Sequence, residues 1–308
     1  MKSNQRKAYG EKLVELGRKD NRVVALEADL GKSTMSILFG NEFPERYFQM
    51  GISEQDMIST AAGLALTGKR PFASTFAVFA TGRPYDQIRS SVAIPHLPVV
   101  ICGSSAGLSD FGDGKTHQSI DDIALMRVLP GMTVLCPVDA VETVKMMDAV
   151  LSLSGPVYMR LNRNDVPVLT SKDESYHIGK ITTMRDGSDV VVFACGIMVS
   201  KSLEAAEKLE KEGISARVVN VSTIKPLDKD ALKAACSGMK AIFTAEEHNV
   251  CCGFGSAILE ALSSVLVPKH VIGIQDTFGT SAKDYEELLT AYHLQADDIV
   301  ERVKEALK

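Results

Sequence analysis

The chain has 308 residues, of which 45% are hydrophobic and 24% are charged, and its formal net charge is -5 at pH 7. This length and composition predict a globular protein with two domains, each large enough to bury its own core. The 34 basic and 39 acidic residues provide no basic field, which disfavours nucleic acid as a partner.

The N-terminal residues and the cysteines predict a cytoplasmic protein. The first residues (MKSNQRK) are polar, and no apolar run approaches the roughly 20 residues that a membrane span needs, so we expect no signal peptide and no membrane partner. The six cysteines lack the paired spacing of metal ligands and lie mostly in apolar segments. This pattern favours buried thiols over disulfides or zinc.

The first half of the chain alternates between helix-like and strand-like segments. Helical patterns are predicted over residues 3–19, 55–67, 77–92, 119–127 and 139–152. Short apolar runs typical of buried strands occupy residues 23–26, 71–73, 98–102, 132–136 and 156–159. Continuous apolar strands that alternate with helices predict a parallel sheet covered by helices on both faces.

A polar connector interrupts this alternation between about residues 165 and 187, and we place the domain boundary between residues 175 and 176. The second half then predicts strands at residues 190–194, 216–221, 241–245 and 271–274. Helices are predicted near residues 199–212, 228–236, 254–266 and 297–308. The predicted fold class is therefore α/β, with two parallel-sheet domains at residues 1–175 and 176–308.

The most distinctive stretch is residues 51–57 (GISEQDM), which is followed by a run of small residues. Ser53 is a candidate N-cap, so Glu54 would lie in the first helical turn, where the helix dipole favours a negative charge. Apolar and small residues recur on several faces of this helix, which predicts that it is buried nearly all round. The residues alone leave two interpretations open for Glu54, namely helix-end electrostatics and a chemical function.

Residues 112–118 (GDGKTHQ) form a second candidate site, in the loop after the strand that ends at Cys102. In a parallel α/β sheet, the loops after the strand C-termini form the ligand crevice. The motif is not a phosphate loop, because it lacks the spacer that precedes Gly-Lys-Thr in the Walker pattern. His117 in this loop could act as an acid, a base or a hydrogen-bond donor near neutral pH, and its loop context favours function.

Other polar residues follow the ends of predicted strands. Asp29 and Ser33 follow the first strand, where they could cap the next helix or contact a ligand. Arg163 follows the fifth strand, and its fork of donors could bind a phosphate or a carboxylate. Arg6 in the first helix has the pattern of a solvated residue.

Phe76 and Phe79 follow the second strand of the series and are spaced three residues apart. At this spacing the two rings share a helix face, which favours a role in the core. They could also form an apolar slot for a flat heteroaromatic ring, and the spacing alone does not exclude that role.

Taken together and in this order, these stretches resemble the C-terminal half of transketolase, a pyrimidine-binding domain of a thiamine diphosphate enzyme followed by a C-terminal domain. The likeness spans nearly the whole chain. Its strongest pieces are residues 51–57, 74–79 (STFAVF), 113–118, and 129–134 with 137–139. A single motif would be weak evidence, whereas four motifs in register are specific.

The resemblance implies that the chain binds thiamine diphosphate. Glu54 matches the glutamate that hydrogen-bonds ring atom N1′ of the aminopyrimidine and favours the tautomer that can remove the thiazolium proton. Phe76 and Phe79 match the aromatic pocket for the pyrimidine, which replaces the core interpretation of that pair. Asp29 matches an aspartate beside the cofactor and the sugar hydroxyls.

The resemblance also implies a sugar phosphate as substrate. His117 and Asp113 match residues that contact the substrate, and His117 is thereby a candidate catalytic residue. Arg6, Ser33 and Arg163 match residues that hold the sugar phosphate.

Two departures from the family pattern affect the substrate side of the site. Where transketolases usually carry a further histidine, this chain has Gly103, followed by Ser104 and Ser105. The loop at residues 81–84 (TGRP) lacks the third aromatic residue of the family pattern. The resemblance therefore leaves the sugars unspecified.

The Mg²⁺ site of the family is missing from this sequence. The family binds the diphosphate through Mg²⁺, using a Gly-Asp-Gly motif and a later asparagine in a preceding domain. Residues 112–114 imitate the first part, but no asparagine follows at the matching distance, so we expect no metal site in this chain. The resemblance thus implies a split enzyme, in which an N-terminal partner subunit brings Mg²⁺ and the diphosphate site. Association into a heterotetramer, or a homodimer of this chain, is expected.

The predicted activity is transfer of a two-carbon ketol unit between ketose and aldose phosphates, performed only with the partner subunit. Three alternatives are a beta subunit of a 2-oxo acid dehydrogenase, a deoxyxylulose-phosphate-synthase-like enzyme and a non-catalytic regulatory protein that binds small molecules. The residues that match phosphate-binding positions favour a sugar-phosphate enzyme. The unbroken set of Glu54, Phe79 and His117 argues against the non-catalytic alternative.

Overall fold

The computed structural model describes residues 1–308. The strands of the first half are β1 (Lys2–Asn4), β2 (Val23–Glu27), β3 (Tyr47–Gln49), β4 (Arg70–Phe76), β5 (Val100–Ser104), β6 (Thr133–Leu135), β7 (Val157–Arg160) and β8 (Asp165–Pro167). Its helices are α1 (Gln5–Lys19), α2 (Gly31–Thr34), α3 (Ile37–Glu42), α4 (Glu54–Leu66), α5 (Ala77–Thr81), α6 (Tyr85–Gln87), α7 (Asp122–Arg127) and α8 (Ala140–Val150).

The second half contributes six further strands and five further helices. The strands are β9 (Thr182–Arg185), β10 (Val190–Ala194), β11 (Ala216–Asn220), β12 (Thr223–Lys225), β13 (Ala241–Asn249) and β14 (Lys269–Ile274). The helices are α9 (Met198–Lys211), α10 (Lys229–Ala235), α11 (Phe254–Ala261), α12 (Tyr285–Ala291) and α13 (Ala296–Ala306). None of the helices is long and apolar enough to cross a membrane.

The larger sheet has seven strands in the order β12-β6-β7-β5-β4-β2-β3. All neighbouring pairs are parallel except β12 with β6, which is antiparallel. Strands β2, β4, β5 and β7 are buried almost throughout, which explains their continuous apolar runs. Strand β12 comes from the second half of the chain, so the two halves share this sheet.

The second sheet has five strands in the order β14-β13-β10-β11-β9. Its pairs are parallel apart from the antiparallel pair of β9 with β11. A separate two-stranded antiparallel sheet joins β1 to β8, so the start of the chain is paired with the connector. The predicted α/β class with two parallel sheets is confirmed, whereas the boundary at residues 175 and 176 stays a prediction.

Three local predictions are wrong in whole or in part. The helix predicted over residues 77–92 is divided into α5, α6 and a π-helical turn at Ile88–Ala93. The break falls at Gly82, Arg83 and Pro84, because proline lacks an N–H and disfavours helical backbone in the residue before it. Helix α4 is not buried all round: it exposes a stripe formed by Gln55, Asp56, Ser59, Gly63 and Leu66.

The prediction of buried thiols is confirmed for four cysteines and is wrong for Cys251 and Cys252, which are exposed between β13 and α11.

Candidate active site

Five of the predicted site residues lie beyond the carboxyl ends of five adjacent parallel strands. Asp29 follows β2, Glu54 follows β3, Phe79 follows β4, His117 lies in the loop after β5, and Arg163 follows β7. These strands are neighbours in the sheet, in the order β7-β5-β4-β2-β3. The topology therefore brings residues that are far apart in sequence to one edge of the sheet.

Glu54 is the first residue of α4, and only 3% of it is exposed. Ser53 is at the N-cap position, as predicted, but its side chain makes no capping hydrogen bond. The Glu54 carboxylate instead accepts a hydrogen bond at Oε1 from Nη1 of Arg83, at 2.8 Å. This buried carboxylate is therefore paired with a side chain from the loop that breaks the predicted helix.

The Arg83 guanidinium also lies over an aromatic ring. Its Cζ atom is 4.0 Å from the centre of the Phe79 ring, within the range of a cation–π contact. The Arg83 side chain is 47% exposed. A flat, solvent-accessible cation thus contacts both Glu54 and Phe79, a role that the sequence did not reveal.

Phe76, Phe79 and His117 form a cluster of rings. The two phenylalanine ring centres are 6.2 Å apart, with 18° between the ring planes. The His117 ring meets both of them edge to face, at 5.2 Å from Phe79 and 6.3 Å from Phe76. The Nδ1 atom of His117 is hydrogen-bonded to the hydroxyl of Thr116 at 2.9 Å, which leaves Nε2 as the ring nitrogen for a ligand.

A cavity of about 260 Å³ opens between these side chains. Its wall is formed by Ala28, Asp29, Leu30, Ile52, Glu54, Phe79, Arg83 and His117. Four predicted site residues therefore share one cavity, and Phe76 lies directly behind two of them. The cavity combines an apolar ring face with a buried carboxylate, which is the composition of a small-molecule site.

Asp29 is held at this cavity by a strained turn. Its φ of 58° lies in the left-handed region, and its backbone N–H donates to Gln49 Oε1 at 3.1 Å. The buried Glu27 accepts hydrogen bonds from the Leu30 backbone, at 2.6 Å, and from the Gln49 side chain. Burial raises the pKa of Glu27. Glu27 and Gln49 are thus supporting residues that sequence reasoning missed.

Arg6, Ser33 and Arg163 lie together in a second cluster. Nη1 of Arg6 donates to the Ser33 carbonyl at 2.7 Å, while the Ser33 hydroxyl makes no hydrogen bond. Arg163 pairs with Asp110 at 2.5 Å and lies over the Phe76 ring, with Cζ 5.6 Å from the ring centre. Burial and the nearby charge of Arg163 lower the pKa of Arg6. Two cations that repel each other favour the binding of an anion.

Two predicted positions behave differently from the rest. Asp113 lies on the exposed part of its loop and does not line the cavity. Gly103 lies within β5, where an added Cβ would be 2.5 Å from the Tyr158 hydroxyl and 3.0 Å from the Ala77 Cα. A side chain at position 103 would therefore require Tyr158 or Ala77 to move.

Family models match both halves of the chain. The transketolase pyrimidine-binding domain matches residues 2–168, and the transketolase C-terminal domain matches residues 179–299. The chain belongs to the transketolase family. The prediction of a transketolase C-terminal section with these two domains is confirmed by relatives of similar length.

Three similar proteins support this placement of the transketolase chain. A candidate transketolase C-terminal section of Methanocaldococcus jannaschii is 42% identical, and the match covers 98% of this chain and 96% of the relative. A 6-deoxy-6-sulfo-D-fructose transketolase subunit of Clostridium sp. is 39% identical, with coverage of 97% of this chain and 93% of the relative. A solved structure described as a split gene transketolase, inactive beta4 tetramer, is 46% identical with a TM-score of 0.90, and covers 99% of this chain and 98% of its own.

Deoxyxylulose-phosphate synthases fit this transketolase chain less well. The synthase of Caldanaerobacter subterraneus is 36% identical over 96% of this chain, but the match spans only 48% of the synthase. The split-transketolase prediction therefore stands over this alternative.

Proposed function

We propose that the chain is the C-terminal subunit of a split transketolase, which transfers a two-carbon ketol unit between ketose and aldose phosphates with thiamine diphosphate. The observation that carries the proposal is the cavity at the strand ends, where the buried Glu54 carboxylate, the Phe79 ring and His117 converge. The same cavity is open on one side, and Ile52 at its rim is 74% exposed. Such a site needs another protein surface to complete it.

The residues of the cavity fit the pyrimidine part of thiamine diphosphate. The Arg83 guanidinium is a flat group that donates to Glu54 and lies on the Phe79 ring. An aminopyrimidine is also flat and can offer a hydrogen bond to a carboxylate while its ring stacks on an aromatic face. Glu54 and Phe79 would therefore hold the pyrimidine where they now hold Arg83, and Asp29 would contact its edge.

When bound, thiamine diphosphate would supply a carbon nucleophile and an electron sink for breaking and forming the carbon–carbon bond beside the ketose carbonyl. Glu54 would share a hydrogen bond with the pyrimidine edge, and its burial would strengthen that bond. His117 offers Nε2 to a sugar hydroxyl, where it can hold or move a proton. Asp113 lies on the exposed part of the same loop and would contact the substrate from that side.

The second cluster is proposed to hold the anionic end of the sugar. Arg6 and Arg163 are close enough to perturb each other, and an anion between them would relieve the repulsion. Two relatives are named as a 6-deoxy-6-sulfo-D-fructose transketolase subunit and an apulose-4-phosphate transketolase subunit, so both names describe sugars with an anionic group. A phosphate is the proposed group here, and Ser33 lies beside it.

The partner is proposed to be an N-terminal transketolase subunit that brings the diphosphate site and Mg²⁺. No three His, Cys, Asp or Glu side chains of this chain are grouped so as to hold a metal ion. The exposed stripe of α4 begins beside the cavity, and Leu66 at its other end is 73% exposed. We propose that the partner covers this face in a cytoplasmic heterotetramer, and that this chain alone is inactive.

The test is to mix the chain with its N-terminal partner, thiamine diphosphate and Mg²⁺, and to measure conversion of xylulose phosphate plus ribose phosphate. We expect turnover by the mixture and none by either chain alone. A mixture no faster than the separate chains would overturn the proposal.

Within the active mixture, Glu54→Gln should lower kcat/KM by about 100-fold or more, because the side chain could no longer hold the proton at the pyrimidine edge. The matched control is Glu207→Gln, which alters an exposed carboxylate on α9, away from the cavity and from the exposed stripe of α4. Full activity of the Glu54→Gln enzyme would remove the assigned role.

A further inference from the structure

The loop after β5, residues 105–118, carries Asp113 and His117 and is called the site loop below. The site loop forms one ion pair with the rest of the first half, between Asp110 and Arg163. Much of the remaining support comes from the second half of the chain. The position of His117 therefore depends on residues outside the pyrimidine-binding domain.

Glu247 is the central contact between the second half and the site loop. It lies on β13, is 3% exposed, and accepts a hydrogen bond at Oε1 from the Leu108 backbone N–H at 2.8 Å. The loop approaches so closely at Gly107 that an added Cβ would be 2.3 Å from the Glu247 carboxyl carbon. Gly107 has a φ of 64°, so glycine suits both the backbone and the contact.

One tyrosine links Glu247 to the segment that carries Arg163, a member of the second cluster. The Tyr285 hydroxyl donates to Glu247 Oε1 at 2.8 Å and accepts from Asn162 Nδ2 at 2.9 Å. Asn162 immediately precedes Arg163, whose own backbone N–H donates to the Ser109 hydroxyl at 3.2 Å. One carboxylate thus connects the two segments that carry His117 and Arg163.

The far end of the site loop is held by the segment before α12. Gln118 Nε2 donates to the Thr280 carbonyl at 2.9 Å, and the Ala282 N–H donates to the Phe111 carbonyl at 2.9 Å. Like Glu247, these partners belong to the second half of the chain. The loop is therefore clamped at both ends by the second half.

We propose that Glu247 is a positioning residue of the active site, which fixes the site loop, and with it His117, from the C-terminal domain. Glu247 does not touch the cavity, so it acts through Leu108 and Tyr285. Its consequence for catalysis rests on the proposed function, whereas its effect on the loop does not. The C-terminal domain thereby has a defined task in the site.

The adjacent Glu246 provides a matched control. Successive residues of a strand point to opposite faces, and Glu246 accepts hydrogen bonds from the N–H groups of Phe254 and Gly255, at 2.6 and 2.8 Å. Glu246 is as buried as Glu247 but caps α11 within its own domain. Substitution at either position removes a buried carboxylate, and only one of them contacts the site loop.

The first test is hydrogen exchange of the isolated chain, followed by mass spectrometry. Glu247→Met removes the acceptor at similar volume and should speed exchange in the site loop about tenfold, the effect of losing one buried hydrogen bond. Glu247→Gln keeps an acceptor oxygen and should restore slow exchange. Glu246→Met should speed exchange in α11 and leave the loop unchanged. Equal loop exchange in both Met variants would overturn the proposal.

The second test uses the active pair of subunits. Glu247→Met should raise KM for the sugar phosphates about tenfold and leave thiamine diphosphate affinity unchanged, since Glu54 and Phe79 are untouched. An unchanged KM, despite faster loop exchange, would show that the clamp has no role in the site. If Glu247→Met does not fold, Tyr285→Phe removes one donor to Glu247 and should give the same pattern at smaller size. If the wild-type pair lacks transketolase activity, the proposed function fails while the exchange result still decides the positioning claim.

Discussion

Two carboxylate–arginine pairs in this protein have the same N···O distance but differ in the exposure of the arginine to solvent. Glu54 and Arg83 are 2.8 Å apart at the cavity, and Asp122 and Arg160 are 2.8 Å apart at the junction of the two halves. The Arg83 side chain is 47% exposed, whereas those of Arg160 and Asp122 are 6% and 0% exposed. Exposure of the cation decides which carboxylate can exchange its partner for a ligand.

Further hydrogen bonds tie the buried pair to its surroundings, although Asp122 Oδ1 accepts none. Asp122 Oδ2 accepts a second hydrogen bond from the Tyr158 hydroxyl at 2.6 Å, and Arg160 Nη2 donates to the Glu247 carbonyl at 2.9 Å. Such a network cannot open without leaving charges unpaired in a dry interior. Of the two pairs, only the one at the cavity is suited to binding.

The most direct test of the difference between the two pairs is to remove the carboxylate of the buried pair. Asp122→Ala should lower the free energy of unfolding by about 3–5 kcal/mol, because Arg160 would be left buried without its counter-charge. Glu54→Gln should cost much less, since Arg83 can turn into water. Chemical denaturation of both variants provides the measurement, and equal losses would contradict the distinction.

A second prediction removes the exchangeable cation. Arg83→Met should tighten thiamine diphosphate binding up to about tenfold, because Glu54 and Phe79 no longer have to release a bound guanidinium. Titration of the cofactor into the mixed subunits measures this effect. The control is Arg89→Met, an exposed arginine nearby that forms no ion pair. Weaker binding in the Arg83→Met variant alone would show that the guanidinium assists the cofactor instead of competing with it.

The smallest predicted effect is on the pH dependence of stability, and it arises from a buried carboxyl group that has no cationic partner. Glu142 accepts from the Val138 N–H at 2.7 Å and from Asn220 Nδ2 at 3.0 Å, and burial raises its pKa from 4.5 to about 7. The protonated form is favoured by folding, so its stabilisation is complete below pH 4.5 and is lost as the pH rises through about 7. Stability should therefore fall with rising pH in this window.

Between about pH 6 and about pH 8, the unfolding free energy of the Glu142→Gln variant should fall by about 1 kcal/mol less than that of the wild type. Burial also raises the pKa of Glu246 to about 8 and that of Glu247 to about 7, so part of the fall should remain. Denaturation at several pH values measures the slope, with the exposed Glu301→Gln as the control. Parallel slopes for the wild type and Glu142→Gln would contradict the prediction.

The sequence predicts nine of the fourteen strands and most helices, because buried parallel strands are continuous apolar runs with turn residues at their ends. The five strands that it misses are only three or four residues long, namely β1, β3, β8, β9 and β12. It also predicts that Asp29 and His117 follow strand ends and so lie at one edge of the sheet. Spacing alone favoured a core role for Phe76 and Phe79, and only the family resemblance indicated a ring pocket. The roles of the individual site residues stay predictions until they are measured.

The partners of the arginines could not be predicted from the sequence. Arg83 lies in a loop that breaks a helical pattern, and nothing local indicates that its guanidinium reaches Glu54, 29 residues earlier in the chain. Arg160 and Asp122 are separated by 38 residues, and their pairing depends on how α7 packs beside β7. Side-chain pairing across elements requires the tertiary arrangement, which periodicity does not encode.

Strand β12 has a consequence for how the protein can be divided. Its three residues pair with β6 and cover backbone groups that would otherwise end the large sheet as an unprotected edge. A fragment cut in the connector would leave the N-terminal piece with this edge uncovered, open to pairing with other chains. We therefore expect the fragment of residues 1–175 to aggregate, although its own core is large, so the two domains are best expressed as a single polypeptide.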